Sequence, residues 1–382
     1  MKSRAMLKVA VIIGTRPEAI KMAPILLELK KHRRTRPILV LTAQHREMCD
    51  DVLDVFSLKP DYDLDIMRPN QSLFQVTASL VEELEGVLSR ERPDCVLVQG
   101  DTTSTFVGSL CAYYLRIPVG HVEAGLRTYR KYSPFPEEIN RRLTSAIADL
   151  HFAPTRVAAR ALAREGVPKR DVFVVGNPVI DALLHVSSKR YPFKNRVLRD
   201  LDFRGKRVIA VTAHRRESWG RPFERMLRAL REIAATHDDV LVVFPVHPNP
   251  NVGKPVARIL GNARGVVLTE PLDYRDFVKL LRSCYMIITD SGGIQEEAPS
   301  LKKPVLLMRE VTERPEAVRA GAVKIVGTDF HKIVRSAASL LDSGKQYRRM
   351  TIGRNPYGDG KTSRRIVKII LDRLGERKGS RK

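Results

Sequence analysis

The chain has 382 residues, 43% of them hydrophobic and 29% charged, and carries a formal net charge of +24. This length exceeds the size at which one hydrophobic core stops growing, so two domains are expected. No apolar run approaches the roughly 20 residues that a membrane-spanning helix needs, and the first run, Val9–Ile13, is too short for a signal peptide.

The four cysteines, at positions 49, 95, 111 and 284, include no C-x-x-C pair. Cys95 and Cys111 fall inside apolar stretches, which is typical of buried free thiols in a reducing compartment. The cysteines therefore predict a cytoplasmic protein, with no disulfide framework and no zinc site.

The excess of Lys and Arg raises the possibility of a nucleic-acid-binding or membrane-surface protein. Residues 361–382 contain nine basic and two acidic residues, and Lys30–Arg36 forms a second cluster. Only 6% of the residues are aromatic, and we find no RNA-binding aromatic motif and no zinc finger. We therefore favour a solvated basic surface, without a nucleic-acid or membrane partner.

Apolar runs bounded by turn residues, each followed by a helical stretch, predict the strands of parallel sheets. Ten such runs occur along the chain: Val9–Ile13, Ile38–Thr42, Cys95–Gln99, Val119–Val122, Leu150–Ala153, Val208–Thr212, Val240–Val246, Val266–Leu268, Met286–Thr289 and Val305–Met308. The segments Val9–Glu18 and Val208–Glu217 resemble each other, since each is a first strand ending in a loop with basic groups.

This pattern predicts an α/β fold of two Rossmann-like, doubly wound domains. Ligands bind at the carboxyl ends of parallel strands, so we expect the two domains to face a central cleft. We place the boundary near Gly176-Asn177-Pro178, which gives an N-terminal domain of residues 1–176 and a C-terminal domain of residues 177–361. The last helix, residues 362–382, is expected to pack back on the first domain.

Three carboxylates, Asp101, Glu123 and Glu137, occupy predicted strand ends or helix starts and are candidates for acid/base chemistry. Asp101 could instead cap the helix that starts near Thr103, and Glu137 could offset the dipole of its helix. Glu123 follows an apolar strand, where a carboxylate has no evident structural role. Of the three carboxylates, it therefore has the weakest structural explanation.

Cationic groups occur at equivalent places in the two halves. Arg16 and Lys21 flank the start of the first helix, and His214 precedes two arginines after the first strand of the second half. Arg314 lies in a loop after a later strand. Together these residues predict an anion-binding cleft opposite the carboxylates.

The segment from Thr289 to Glu297 reads as a strand that runs into a glycine-bearing turn and a helix. Ser291, Gly292 and Gly293 would present backbone N–H groups to a phosphate, and Glu296 or Glu297 could reach a ribose hydroxyl. The alternative is an ordinary strand–helix connection in which Ser291 is the N-cap.

The D-x-D sequence in Asp61–Asp65 could indicate a metal-dependent sugar transferase. We favour an edge strand, with Tyr62, Leu64 and Ile66 on one face, and expect no metal site.

Eight segments in order along the chain resemble the non-hydrolysing UDP-N-acetylglucosamine 2-epimerases. They are Gly14–Lys21, Gln99–Thr103, His121–Thr128, Pro136–Arg141, Thr212–Glu217, Asp290–Glu297, Thr312–Glu316 and Asn355–Gly360. One such segment would be a weak signal, whereas eight collinear segments are highly specific.

The resemblance implies a glycosyltransferase-B-type fold, usually as a homodimer, with no metal or nicotinamide cofactor. It implies reversible epimerisation at sugar carbon 2 of a UDP-sugar, by elimination and re-addition of UDP. In that scheme Asp101, Glu123 and Glu137 are acid/base candidates, and His214 steadies the departing diphosphate. The implied substrate-binding residues are Arg16, Lys21, Leu272, Phe277, Ser291, Gly292, Gly293, Glu297 and Arg314.

Other functions stay open at this point. A sister epimerase acting on a UDP-2,3-diacetamido-uronic acid would use an additional cation near sugar carbon 6. A hydrolysing epimerase would admit water to the intermediate. A glycosyltransferase of the same fold would need an acceptor groove and would leave the three carboxylates without a clear purpose.

Overall fold

The computed structural model describes residues 6–42, 46–68, 70–351 and 353–379. The chain forms two compact units. The first comprises the chain through His185 together with the segment from Tyr357 onward, and the second comprises Val186–Pro356. Each unit is an α/β layer structure built on one parallel sheet, as the sequence predicts.

The first unit contains a seven-stranded sheet in the order β3-β2-β1-β4-β5-β6-β7. Its strands are β1 (Leu7–Ile13), β2 (Thr35–Leu41), β3 (Tyr62–Asp63), β4 (Cys95–Gln99), β5 (Val119–Val122), β6 (Leu150–Ala153) and β7 (Val172–Val174). Its helices are α1 (Arg16–Lys31), α2 (Arg46–Val55), α3 (Leu73–Glu91), α4 (Thr103–Tyr114), α5 (Glu137–Ile147), α6 (Arg156–Arg164) and α7 (Pro178–Ser187), the last crossing the unit boundary.

The second unit contains a six-stranded sheet in the order β10-β9-β8-β11-β12-β13. Its strands are β8 (Arg207–Thr212), β9 (Val240–Pro245), β10 (Val266–Thr269), β11 (Met286–Thr289), β12 (Val305–Leu307) and β13 (Val323–Ile325). Its helices are α8 (Arg196–Asp200), α9 (Arg221–Thr236), α10 (Pro250–Leu260), α11 (Tyr274–Ser283), α12 (Gly292–Glu297), α13 (Pro315–Arg319), α14 (Phe330–Asp342) and α15 (Gly344–Thr351).

In both sheets the strand order reverses beside the first strand of the unit, between β1 and β4 and between β8 and β11. In open parallel sheets, the loops at the carboxyl ends of such strand pairs diverge to opposite faces, which is where ligands bind. The central strands are almost fully buried apolar runs, which is why the sequence identifies them so clearly.

The C-terminal helix, α16 (Thr362–Gly379), belongs to the first unit. It packs against α1 and buries Ile366, Val367 and Ile370 completely. Asp181 holds its start by accepting hydrogen bonds from the backbone N–H groups of Thr362 at 3.2 Å and Ser363 at 2.8 Å.

The unit boundary falls later than the sequence suggests, because most of α7 is part of the first unit. Ile180 and Leu183 are fully buried, and Asp181 anchors α16. The Gly-Asn-Pro segment at 176–178 has the composition of a linker, but a Pro at the first position of a helix is also a common start signal.

Three short strands at sheet edges do not form apolar runs long enough to be recognised in the sequence. β7 and β13 have three residues each, and β3 has two. β3 lies at the edge of its sheet, in the D-x-D segment that we assigned to an edge strand. There the Asp61 carboxylate accepts a hydrogen bond from the Leu39 N–H at 2.7 Å, which is a structural role.

All four cysteines are free and buried, as predicted. Among the residues that the structure describes, no group of His, Cys, Asp and Glu side chains has the arrangement of a metal site. Within the same described ranges, none of the helices has the length and apolarity needed to cross a bilayer.

Candidate functional site

Glu123 is the best-connected carboxylate at the carboxyl edge of the first sheet. It directly follows β5, is 6% exposed and has a positive φ of 65°. The Lys21 ammonium lies 2.6 Å from Glu123 Oε2, Gln99 donates to the same oxygen, and Asn177 donates to Oε1 at 2.9 Å. A non-glycine residue with this backbone conformation is uncommon and is often functional.

Asp101 lies beside Glu123, just after β4. A Cβ atom placed on the intervening Gly100 would lie 3.8 Å from Glu123 Oε2. Arg141 of α5 donates to the Asp101 carboxylate, and Asn140 donates to the Asp101 carbonyl oxygen at 3.1 Å. The alternative role of Asp101 as the cap of the helix that starts near Thr103 is wrong. The N-cap of α4 is Thr102, whose side chain accepts a hydrogen bond from Thr105 N.

Burial raises the pKa of Asp101 above its usual value, and the neighbouring Glu123 carboxylate raises it further, whereas Arg141 and Lys21 oppose the change. A carboxyl group with a raised pKa can hold a proton nearer to neutral pH, which suits an acid or base catalyst.

Glu137 is the first residue of α5, after Pro136. Its Oε2 atom is buried and accepts no hydrogen bond from the residues that the structure describes. The next residue, Glu138, plays a different part, since it is fully buried and accepts from the N–H groups of Thr128 and Tyr129, each at 3.0 Å. Of the two adjacent carboxylates, only Glu137 has an oxygen that is left for a ligand.

Two buried residues fix the loops that carry these groups. Glu18 joins the turn after β1 to the start of α4, since it accepts from Thr15 N at 2.8 Å and from the Thr102 hydroxyl. His121 Nε2 donates to the Gly100 carbonyl oxygen at 2.8 Å. Burial lowers the pKa of His121 to about 3, so this imidazole is neutral.

In the second unit, Asp290 organises the loop that carries His214. The Asp290 carboxylate is fully buried and accepts from the N–H groups of His214 at 2.7 Å and Arg215 at 2.8 Å. The His214 ring stacks on His247, with centroids 5.5 Å apart. Burial lowers the pKa of His214, although the nearby Asp290 acts in the opposite direction.

Two guanidinium groups lie over the glycine turn between β11 and α12. A Cβ atom on Gly292 would lie 2.8 Å from Arg314 Nη1 and 3.5 Å from Arg215 Nη2. Arg314 is held by Glu296, and its backbone N–H donates to Thr312 Oγ1 at 3.0 Å. Positive charge and backbone N–H groups therefore meet where the sequence predicts a phosphate site.

The remaining predicted residues of the second unit occupy the same carboxyl edge. Ser291 is the N-cap residue of α12, as the structural alternative held, but its side chain makes no capping hydrogen bond. Glu297 is 8% exposed, and a Cβ atom on Gly293 would lie 3.6 Å from its Oε1. Leu272 and Phe277 lie further along this edge, where the chain leaves β10 and enters α11.

Arg16 is the first residue of α1 and is half-buried. Lys21, one and a half turns later, points to Glu123. Both residues thus lie beside the switch point of the first sheet.

Several residues that shape the site did not stand out in the sequence. They are Glu18, Gln99, Glu138, Arg141, Asn177, Arg215 and Asp290. All of them except Asn177 lie in the eight segments that carry the family resemblance, but the contacts that give each its part in the site are visible only in the fold.

The first unit therefore offers two neighbouring carboxylates in different environments, together with a lysine. The second offers a histidine and two arginines around a glycine turn. The first set can move protons, and the second can bind and stabilise a diphosphate.

Comparison with known proteins agrees with this chemistry. A family model described as UDP-N-acetylglucosamine 2-epimerase matches residues 27–371. The chain is 51% identical over 377 residues to the UDP-N-acetylglucosamine 2-epimerase of Salmonella typhimurium, with 95% of this chain and 98% of that protein covered. It is 50% identical over 374 residues to the enzyme of that name from Bacillus subtilis, with 97% of each covered.

Solved structures give the same result. A Neisseria meningitidis UDP-GlcNAc 2-epimerase bound to UDP-GlcNAc is similar with a TM-score of 0.87 and 48% identity, over 96% of this chain and all of that one. An S. aureus MnaA structure with UDP is similar with a TM-score of 0.87 and 48% identity, over 97% of each chain.

Proposed function

The chain belongs to the UDP-N-acetylglucosamine 2-epimerase family, and on that basis we propose that it interconverts UDP-N-acetylglucosamine and UDP-N-acetylmannosamine. The observation that carries the proposal is the pair Asp101 and Glu123, which are adjacent at the carboxyl edge of the first sheet and have different cationic partners. Inversion at a carbon that bears hydrogen needs one group to remove the proton and another to return it from the opposite face.

The proton on carbon 2 has no adjacent carbonyl group to acidify it. A carboxylate of the first unit removes this proton while the bond from carbon 1 to the diphosphate oxygen breaks, which leaves a glycal and UDP. A second carboxyl group then protonates carbon 2 on its other face, and UDP adds again at carbon 1. Asp101, Glu123 and Glu137 are the groups that we assign to these proton transfers.

Departure of UDP places negative charge on the diphosphate, and this charge must be stabilised at the moment of bond breaking. We assign this role to His214, Arg314 and the glycine turn Ser291–Gly293, with Arg16 and Lys21 assisting from the first unit. Glu297 binds the ribose, and Leu272 and Phe277 surround the nucleotide. The reaction uses no metal and no nicotinamide.

The experiment that tests this proposal is a proton NMR time course with purified protein and UDP-N-acetylglucosamine in heavy water. We expect UDP-N-acetylmannosamine to appear and deuterium to be incorporated at carbon 2 of the product. Free N-acetylmannosamine would indicate a hydrolysing enzyme, and product without label would exclude this mechanism.

The same assay addresses the other open functions. A UDP-2,3-diacetamido-uronic acid turned over much faster than UDP-N-acetylglucosamine would favour the sister epimerase, and transfer to an added sugar acceptor would favour a glycosyltransferase. Homodimerisation and a cytoplasmic location stay predictions, which sedimentation and cell fractionation would test.

A further inference from the structure

Within the first unit, the basic residues are concentrated in two segments of the chain. This unit carries 35 basic and 25 acidic residues, a net charge of +10. Lys30–Arg36 contributes +5 and Lys361–Lys382 contributes +7, so all other residues of the unit together carry −2. Residues 47–91, with three basic and eleven acidic side chains, are the opposite extreme. The two basic segments therefore account for the whole positive balance of the unit.

Folding joins these two segments, although they lie more than 300 residues apart in the sequence. Helix α16 packs against α1, and a Cβ atom on Gly375 would lie 2.7 Å from Nη2 of Arg34. We call the resulting surface the cationic strip. It consists of Lys30, Lys31, Arg33, Arg34, Arg36, Arg364, Lys368 and Arg373, all exposed except the half-buried Arg34.

Intramolecular ion pairs use only part of this charge. Lys31 lies 2.9 Å from Glu28, and Arg36 lies 3.9 Å from Glu91. Five further exposed cations form no ion pair with any residue in the described part of the chain: Lys30, Arg33, Arg364, Lys368 and Arg373. Of these, Arg373 donates a hydrogen bond to the Arg170 carbonyl oxygen at 2.7 Å.

Helix stabilisation explains only one end of the strip. Lys30 and Lys31 are in the last turn of α1, where cations offset the helix dipole. Arg364 is in the first turn of α16, where a positive charge opposes the dipole. Because Arg364 has no ion pair with the described residues and no favourable dipole, the described part of the chain gives no stabilising reason for its charge.

Against the expectation from composition that the basic surface has no membrane partner, we propose that the cationic strip docks the protein onto an anionic phospholipid surface. Clusters of four to eight Lys and Arg side chains on a helix bind acidic lipid headgroups electrostatically, without insertion. Insertion is not available to α16, since its apolar side chains Ile366, Val367 and Ile370 are buried in the unit.

Two features favour a lipid surface over a nucleic acid. Neither basic segment contains Phe, Tyr or Trp, and stacking on such rings is a main source of affinity for single-stranded nucleic acids. A regular helix surface with long, flexible cations also matches a flat anionic layer, which needs neither a groove nor base contacts.

Docking through the Lys30–Arg36 end of the strip would leave the carboxylates of the first unit accessible. Arg34 immediately precedes β2, so this end of the strip lies at the amino edge of the sheet. Asp101 and Glu123 follow β4 and β5, at the carboxyl edge.

Vesicle flotation of the full chain tests this proposal. We expect binding to vesicles with about 30% phosphatidylglycerol, no binding to pure phosphatidylcholine, and release in about 0.5 M salt, where the Debye length is a few ångströms. The variant K30E/R33E/R364E/K368E should bind at least about tenfold more weakly and keep epimerase activity.

The matched control is R231E/K254E/R319E/K345E, which makes the same charge change at four exposed positions of the second unit. It should retain vesicle binding. Equal loss in both variants would mean that total charge rather than the strip is responsible, and would overturn the proposal.

Two other results would also overturn the proposal. In one, the wild-type protein does not bind anionic vesicles at low salt. In the other, it binds polyuridylate and heparin but not vesicles. If the fourfold reversal does not fold, as judged by thermal melting, the milder variant R364Q/K368Q must show weaker flotation than wild type. The flotation readouts do not depend on which UDP-sugar the enzyme uses.

Discussion

Glu123 has two features that each oppose folding, a left-handed backbone conformation and a buried carboxylate. The backbone conformation alone costs about 1–2 kcal/mol. Three side chains from separate parts of the chain compensate by holding the carboxylate: Lys21, Gln99 and Asn177. A residue that is kept in a strained, buried position by several partners is expected to have a functional reason to be there.

Replacing Glu123 with Gln should lower turnover by about 100-fold or more, because an amide can neither remove nor return the carbon-2 proton. The change keeps the size of the side chain. The measurement is the initial rate of epimerisation, with deuterium uptake as a second readout. Glu82→Gln, at an exposed position of α3, is the control and should keep full activity; a Glu123 variant within threefold of wild type would refute the assigned role.

Removing the Arg141 cation should change the pH dependence of the reaction through Asp101. Burial already raises the pKa of Asp101, and Arg141 opposes that change, so Arg141→Met should raise this pKa further. The limb of the pH profile of kcat/KM that reports Asp101 should then move to higher pH, whichever protonation state is active.

The control for this shift is Arg142→Met, since Arg142 is the exposed neighbour and lies 4.0 Å from Glu165. Its pH profile should match that of the wild type. A limb that stays in place or moves to lower pH in Arg141→Met, with an unchanged melting temperature, would contradict the assignment.

At the scale of elements, the sequence revealed the central strands and the turns that follow them. β4, β5, β6 and β11 have the predicted bounds, because buried parallel strands are continuous apolar runs. The short edge strands β7 and β13 were missed, since a three-residue strand with no buried residue in β7 and only Val323 buried in β13 carries too weak a pattern. The polar partners of the site were missed for another reason: Lys21 and Glu123 are 102 residues apart, and only the fold brings them together.

The glycine turn after β11 provides a prediction at this scale. Gly292→Ala would place a methyl group 2.8 Å from Arg314 Nη1, so the guanidinium must move. We expect UDP affinity, measured by calorimetry, to fall by about tenfold or more because charge-assisted contacts to the diphosphate are lost.

Gly253 in α10 is the matched control, because a Cβ atom there meets nothing within 4 Å. Gly253→Ala should bind UDP like the wild type and gain a little stability from its higher helix propensity. Unchanged UDP affinity in both variants would show that the Arg314 position does not matter for the nucleotide.

At the scale of the whole molecule, the chain returns to its first unit after completing the second. The final helix α16 therefore makes the stability of the first unit depend on residues at the far end of the sequence. Its apolar stripe at positions 366, 367, 370 and 374 predicts an amphipathic helix, and packing against α1 is the reason that the stripe is buried.

Ile370→Ala should destabilise the first unit by about 2–5 kcal/mol, because the substitution leaves a cavity beneath α16. Hydrogen exchange is the suitable measurement, since it reports each element separately. We expect faster exchange in α1 and β2, with little change in α9 and α14. Ile333→Ala, at a fully buried position of α14, should show the reverse pattern, because α14 packs against α9. Equal acceleration of both units by either variant would mean that they unfold as one cooperative body.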